Sequence, residues 1–227
     1  MNIYRQNNII NQEEEIISSL NKLPIIIVIR PNYYNLLEPL YKENLFKLVD
    51  ELYMQGIKHI ELAWLNNPQW INLVEELLAE FRKLNLGIAS ISSIEGLNSI
   101  RKLGIKYAMS PVLDENLQKQ AHKLNLVLIP GVFTPSEIQQ AKNLNCKIIK
   151  LFPAKTLGIE YLNQIKLPLG TIPFTIAAGG LTVQDLNSWI AAGYNAIALG
   201  RNLIHQGNSK EELKHWLNSY SQSIKEP

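Results

Sequence analysis

Residues 126–151 read LVLIPGVFTPSEIQQAKNLNCKIIKL, and they hold one complete repeat of the fold. Leu126–Pro130 is a short apolar run. Thr134-Pro135-Ser136-Glu137 then puts a threonine where a helix needs its N-cap, a proline at the first helical position and a glutamate at the third, the start of a capping box. Lys147–Leu151 is a second apolar run. A strand, a capped helix and another strand in this order make a unit that pairs its strands in parallel and lays the helix over them.

The same alternation extends in both directions. Further apolar runs are Pro24–Arg30, Ile57–Leu62, Gly87–Ile91, Lys106–Ser110, Ile172–Ile176 and Asn195–Leu199, which with the first two makes eight. They are mostly continuous rather than alternating, as strands covered on both faces are. Asn44–Gln55 and Trp70–Leu84 carry apolar residues at helical spacing. Thr182 is a candidate cap for another helix. Gly56, Gly104 and Gly193 each close a helical stretch before a strand. Eight such units predict an α/β chain folded as a (β/α)₈ TIM barrel with an extra N-terminal helix. All of 1–227 then forms one domain: residues 1–23 the extra helix, amphipathic over Ile9–Asn21 and closing the bottom of the barrel, 24–204 the barrel, and 205–227 a final helix, over Glu211–Tyr220, with a frayed tail.

Composition narrows the function. Of the 227 residues 46% are apolar, enough for a sizeable core. The 22 basic and 20 acidic side chains leave a net charge of +2, which gives no strong field for nucleic acid or an acidic membrane. No stretch approaches the roughly 18 apolar residues of a membrane span. The N-terminus carries acids where an export signal needs an apolar core. The single cysteine, Cys146, has no partner for an internal disulfide and reads as a buried, inert thiol. A cytoplasmic protein is expected.

In a barrel of this kind, chemistry sits at the C-terminal ends of the strands. The polar residues ending the eight runs are Arg30, Glu61, Ser90, Ser110 and Lys150, followed by Gly179, Gly180 and Gly200. Lys150 lies within IIKLFPA, and an amine in so apolar a strand loses hydration. Burial lowers its pKa and raises the neutral fraction that can attack a carbonyl to form a Schiff base. The alternative is a lysine paired with a carboxylate for structure. Glu61, ending the second run, can reach across the mouth as a proton shuttle or as the partner in a buried ion pair. Gly179-Gly180 and Gly200-Arg201 fall after the seventh and eighth runs, where barrels often bind phosphate through backbone N–H groups; Arg201 adds a charge-assisted contact. His59 reads as off the inward positions, packed or exposed. His122, His205 and His215 are scattered, without the spacing of a metal site. Trp64 either lines the mouth or packs, and Trp189 and Trp216 belong to a core or an interface.

These residues resemble the lysine-dependent 2-keto-3-deoxy-6-phosphogluconate (KDPG) aldolases, including the related phosphogalactonate and 4-hydroxy-2-oxoglutarate (KHG) aldolases. The resemblance runs from about Pro24 to Ile204 and is carried by IIKLFPA, LVLIPGVFTPSEI, YAMSP, GIKHIEL and AAGGLT. Asn66-Asn67-Pro68-Gln69-Trp70 is similar to a stretch of the phosphogalactonate branch. The resemblance implies Lys150 as the Schiff-base lysine, Glu61 as general acid/base, Arg30 at the pyruvate carboxylate, Pro111 and Phe152 lining the pocket, and Gly179, Gly180 and Gly200 binding phosphate. It implies a lyase that needs no metal or other cofactor, acts on a small 2-keto acid to give pyruvate and a phosphorylated aldehyde, and forms a homotrimer. The chain departs from the family at Gly87-Ile88-Ala89-Ser90, where a Gly-x-Gly-Thr pattern is usual, so Ser90 keeps the hydroxyl and Ala89 replaces a glycine. Ala178 and Leu65 stand where polar residues are frequent, and Arg201 where small ones are. Two other readings compete: a phosphate-binding barrel isomerase or synthase with Glu61 as base, and a degenerate barrel that binds a keto acid or sugar phosphate without turnover.

Overall fold

The structure is a computed structural model, and it describes residues 2–31, 36, 38–205 and 208–223. The elements follow one another as α1 Asn2–Lys22, β1 Ile25–Ile29, α2 Pro39–Met54, β2 His59–Ala63, α3 Pro68–Glu80, β3 Asn85–Ala89, α4 Ile94–Lys102, β4 Tyr107–Met109, α5 Glu115–Lys123, β5 Val127–Ile129 and β6 Gly131–Val132. Then come α6 Pro135–Asn143, β7 Ile148–Leu151, α7 Ala154–Leu157, α8 Tyr161–Leu169, β8 Phe174–Ala178, a 3₁₀ turn Val183–Asp185, α9 Leu186–Ala191, β9 Ala196–Leu199, α10 Arg201–His205 and α11 Ser209–Ser223. All strands pair in parallel, in the order β5-β4-β3-β2-β1-β9-β8-β7-β6.

The eight expected staves are all present, and the fifth is split. Pro130 has no N–H to give a ladder, and the stave changes partner there: β5 pairs with β4, and β6 pairs with β7. The Pro130 carbonyl still accepts from Lys150 N at 2.9 Å, so the two pieces close the cylinder between them. The third stave begins at Asn85, earlier than the glycine that marks it in the sequence, and ends before Ser90. The last turn of the chain that the sequence calls frayed falls partly outside the described residues, at 224–227.

Strand residues alternate between two apolar sets. Ile25, Ile27, Ile29, Ile60, Leu62, Leu86, Ile88, Leu128, Ile149, Leu151, Ile197 and Leu199 face outward into the layer shared with the helices. Ile26, Tyr107, Met109, Val127, Ile129, Ile148, Ile176, Ala178, Ala196 and Ala198 fill the inside, where Ile9, Ile16 and Leu20 of α1 join them. The extra helix is therefore a floor: its apolar stripe plugs the N-terminal end of the barrel. Glu13 Oε1 accepts from Lys147 N at 3.4 Å just below β7, and Glu14 pairs with the Lys147 amine at 3.1 Å.

Helix ends follow the local chemistry. Thr134 and Glu137 form the capping box read from the sequence, and Pro135 occupies the first turn of α6. Thr182 caps a single 3₁₀ turn rather than a helix directly, with Asp185 completing the box. Gly56, Gly104 and Gly193 all lie at positive φ, and two further joints do the same work with asparagine, Asn125 at φ 60° and Asn145 at φ 58°. Asparagine is the side chain that tolerates this conformation best after glycine.

Candidate active site

The alternation decides which side chains reach the mouth. Ile148 belongs to the inside set, so Lys150, two residues on, projects inward above it, between outward-facing Ile149 and Leu151. On β2 the same parity holds for Glu61. At the C-terminal end of the strands lies a cavity of about 500 Å³. Its walls include Arg30, Glu61, Ser90, Pro111, Lys150, Phe152, Gly179, Gly180, Gly200 and Arg201; Ser110, which also ends a strand, is buried outside the lining, and its Oγ accepts from Val112 N at 3.2 Å.

Lys150 and Glu61 are both buried, at 8% and 1% exposure. No ion pair joins them among the described residues, and Glu61 Oε1 is enclosed without a hydrogen-bond partner. The structural alternative, a closed Glu–Lys pair, is therefore not what the geometry holds. Burial pushes the Lys150 amine well below the usual lysine range, with the Glu61 charge opposing that shift and Arg30 adding to it. Burial likewise pushes the Glu61 carboxyl up, against the pull of Lys150 and Arg30. Both groups thus lie nearer neutrality than free side chains, the condition for an amine that attacks and a carboxyl that moves protons. The Lys150 amine also lies 5.1 Å from the centroid of the Phe152 ring.

Arg30 leaves the end of β1 and donates from Nη1 to Ser90 Oγ at 2.9 Å. Ser90 sits at φ 67°, a conformation that costs a non-glycine residue energy and that clusters at functional sites. It is the residue that keeps the hydroxyl of the usual Gly-x-Gly-Thr pattern, and here that hydroxyl is in contact with a guanidinium. Across the cavity, Gly179 and Gly180 lie at φ 98° and 81°. A Cβ on Gly179 would stand 2.9 Å from the Phe152 ring, so this glycine lets the loop lie against it. Asn202, which the sequence reading passed over, lines the cavity and donates to the carbonyls of Gly180 and Leu181 at 3.3 and 3.4 Å. Its only sequence signal is its place beside Gly200-Arg201. Lys155 is held by Asp185 at 2.7 Å.

Comparison with known proteins gives this cavity a setting. Residues 16–216 match the KDPG and KHG aldolase family. The chain belongs to that family. It is accordingly a lyase of the aldolase type. Over 172 residues it is 24% identical to the 2-dehydro-3-deoxy-6-phosphogalactonate aldolase of Escherichia coli K12, covering 75% of this chain and 83% of that one. A solved structure of native KDPGal superposes with a TM-score of 0.73 at 22% identity, covering 90% of this chain and 95% of the other. KDPG aldolase from Legionella pneumophila, solved with pyruvate captured as a covalent carbinolamine intermediate, gives 0.72 at 20% identity, covering 92% and 97%. At these identities the superpositions speak for the barrel fold.

Within this aldolase, Asn66–Trp70 turns out to be scaffolding. Asn67 caps α3 by accepting from Gln69 N at 2.8 Å. Trp70 is fully buried, donates from Nε1 to the Ala63 carbonyl at 2.9 Å and packs edge-on against Trp64 at 4.8 Å. None of the five residues lines the cavity. Trp64 is thus a packing residue, and Trp189 and Trp216 are buried.

His59 corrects the sequence reading. It shares parity with Glu61, so it points inward, one layer lower, and is 1% exposed. Its Nε2 meets Ser19 Oγ of α1 at 2.8 Å, and its Nδ1 has no partner among the described residues. Burial lowers its pKa to about 4. The unfolded chain takes up this proton near pH 6.5 and the folded chain only near 4, so the stability is complete above pH 6.5 and falls as the pH drops toward 4. The expected loss is about 3 kcal/mol. Denaturant unfolding at pH 7 and pH 4 measures it, and His59→Gln should show a smaller difference between the two. Equal acid sensitivity in both proteins would exclude His59 as the cause. Cys146 is buried, as expected, at 8% exposure, and burial and the nearby Glu13 push its thiol up to about 12.

Proposed function

We propose that this aldolase works through a Schiff base on Lys150 and reversibly cleaves a 2-keto-4-hydroxy acid, such as 2-keto-3-deoxy-6-phosphogluconate, to pyruvate and an aldehyde, glyceraldehyde 3-phosphate. One observation carries the reading: a buried amine and a buried, unpaired carboxyl open onto one cavity at the strand ends. The neutral Lys150 amine adds to the C2 ketone, and loss of water leaves a protonated imine. Glu61, directly or through water, takes the proton of the C4 hydroxyl. The C3–C4 bond breaks, its electron pair passes into the imine to give the enamine, and the aldehyde leaves. The enamine takes a proton at C3, and water hydrolyses the imine to release pyruvate and restore the amine. Arg30, fixed by Ser90, faces the substrate carboxylate, with Pro111 and Phe152 walling the keto-acid end. The N–H groups of Gly179, Gly180 and Gly200, with Arg201, receive the phosphate at the other end. As the resemblance implies, the same reading makes the working form a cytoplasmic homotrimer, which light scattering weighs.

The test is trapping. The protein is incubated with pyruvate, reduced with borohydride and weighed, and the modified peptide is located. The expected result is one reduced pyruvate adduct on Lys150. No adduct at saturating pyruvate overturns the reading. A trapped adduct together with no pyruvate release from a panel of 2-keto-4-hydroxy acids would reduce the barrel to a binding protein.

A further inference from the structure

Tyr107 is buried inside the barrel, and the proposed reaction leaves it unused. Its ring fills the place that a side chain at position 87 would take. A Cβ built on Gly87 would lie 2.2 Å from the ring carbon Cζ and 2.5 Å from the phenol oxygen. Gly87 is the residue paired with Glu61 across β2 and β3. Neighbouring strands stand about 4.8 Å apart, so the phenol sits over the strand residue next to Glu61, close enough to feel its charge. The hydroxyl has one hydrogen bond, a donation to the Asn85 carbonyl at 3.5 Å, at the outer limit for such a bond. Glu61 Oε1 is an enclosed acceptor with no donor among the described residues. Buried acceptors seldom stay unmatched, and a loosely held donor lies over Gly87, the strand partner of Glu61. The charged groups acting on Glu61 from other elements are Lys150 of β7 and Arg30 after β1. Below, His59 of β2 meets the Tyr107 ring edge-on at 6.0 Å, and burial keeps it neutral. The Tyr107 phenol feels the Glu61 charge and, buried, keeps its proton.

We propose that Tyr107 is a positioning residue for Glu61: its hydroxyl turns from the Asn85 carbonyl to Glu61 Oε1 whenever the carboxylate is charged, holding the inner oxygen so that the outer one faces the substrate. The proposal rests on the aldolase reading of the cavity. No proton leaves the phenol. The hydrogen bond favours the charged carboxylate and fixes its orientation toward the reacting hydroxyl.

Tyr107→Phe keeps the ring in the space over Gly87 and removes only the donor. The charged carboxylate then loses a partner, so the acid limb of the kcat/KM pH profile is expected to move up by about one pH unit, and the plateau kcat to fall about tenfold. 3-Fluorotyrosine at position 107 is a stronger donor of nearly the same shape, and it should move the limb the opposite way. Pyruvate trapping on Lys150 is run on all three proteins. Adducts in all three with limbs that do not move overturn the role of Tyr107 and leave the aldolase reading standing. No adduct in the unmodified protein overturns both. Should Tyr107→Phe fail to fold, the fluorotyrosine protein decides alone: a lowered limb supports the role, an unmoved one rejects it.

Discussion

Lys150→Met is expected to fold, to yield no borohydride-trapped adduct with pyruvate, and to lose turnover on the order of 10⁵-fold, the scale seen when a covalent nucleophile is removed. Methionine matches the length of the lysine stem and suits the apolar wall made by Phe152 and Met109. Burial already disfavours the charged amine, so an apolar side chain of similar volume removes a desolvation cost. The one group left exposed to the change is Glu61, whose carboxyl loses the cation that lowers it. It then rises further and stays protonated, so no bare charge is stranded. Thermal melting should therefore be close to that of the parent. Lys150→Arg separates charge from nucleophilicity: it keeps the cation and should form no adduct. Cleavage at the parent rate by either variant would remove the Schiff base from the mechanism.

Glu61→Gln is expected to lower kcat by about 10² to 10⁴-fold, the range for loss of a general acid/base, while still forming the pyruvate adduct. The side chain keeps its shape, so the effect is on proton transfer. A second consequence carries a sign. The Glu61 charge raises the Lys150 pKa against burial. Without it the amine becomes neutral at lower pH, so the pH dependence of adduct formation should shift downward. Rapid trapping across a pH series reads this shift. A variant with full cleavage activity, or an adduct profile displaced upward, would assign the proton transfers elsewhere.

Most of the barrel could be read from the chain because its strands are covered on both faces and so stand out as apolar runs. Lys150 and Glu61 were conspicuous for the same reason, as charged groups inside such runs, and parity then puts them in one cavity. What the sequence concealed depends on contacts between strands. The split at Pro130 is visible only when β5 and β6 are seen to pair with different neighbours. Asn125 and Asn145 end helices as the glycines do, but a lone asparagine is too common to mark a joint. The polar layer under the site was missed because Tyr107 and Gly87 belong to different strands, and their fit appears only when those strands lie side by side. His59 was misassigned by one step of a two-residue period, although Glu61 beside it fixes the phase.

The helix that seals the barrel's lower end has an implication for biosynthesis. A ribosome makes this helix before the strands of the barrel, yet its docking partners include Ile148 and the backbone of Lys147. The apolar stripe of Ile9, Ile16 and Leu20 must therefore wait, exposed or in passing contacts, until β7 has been translated. A segment made ahead of the strands is then secured only after β7 has emerged, and the nascent barrel's exposure to aggregation and to chaperones spans that interval.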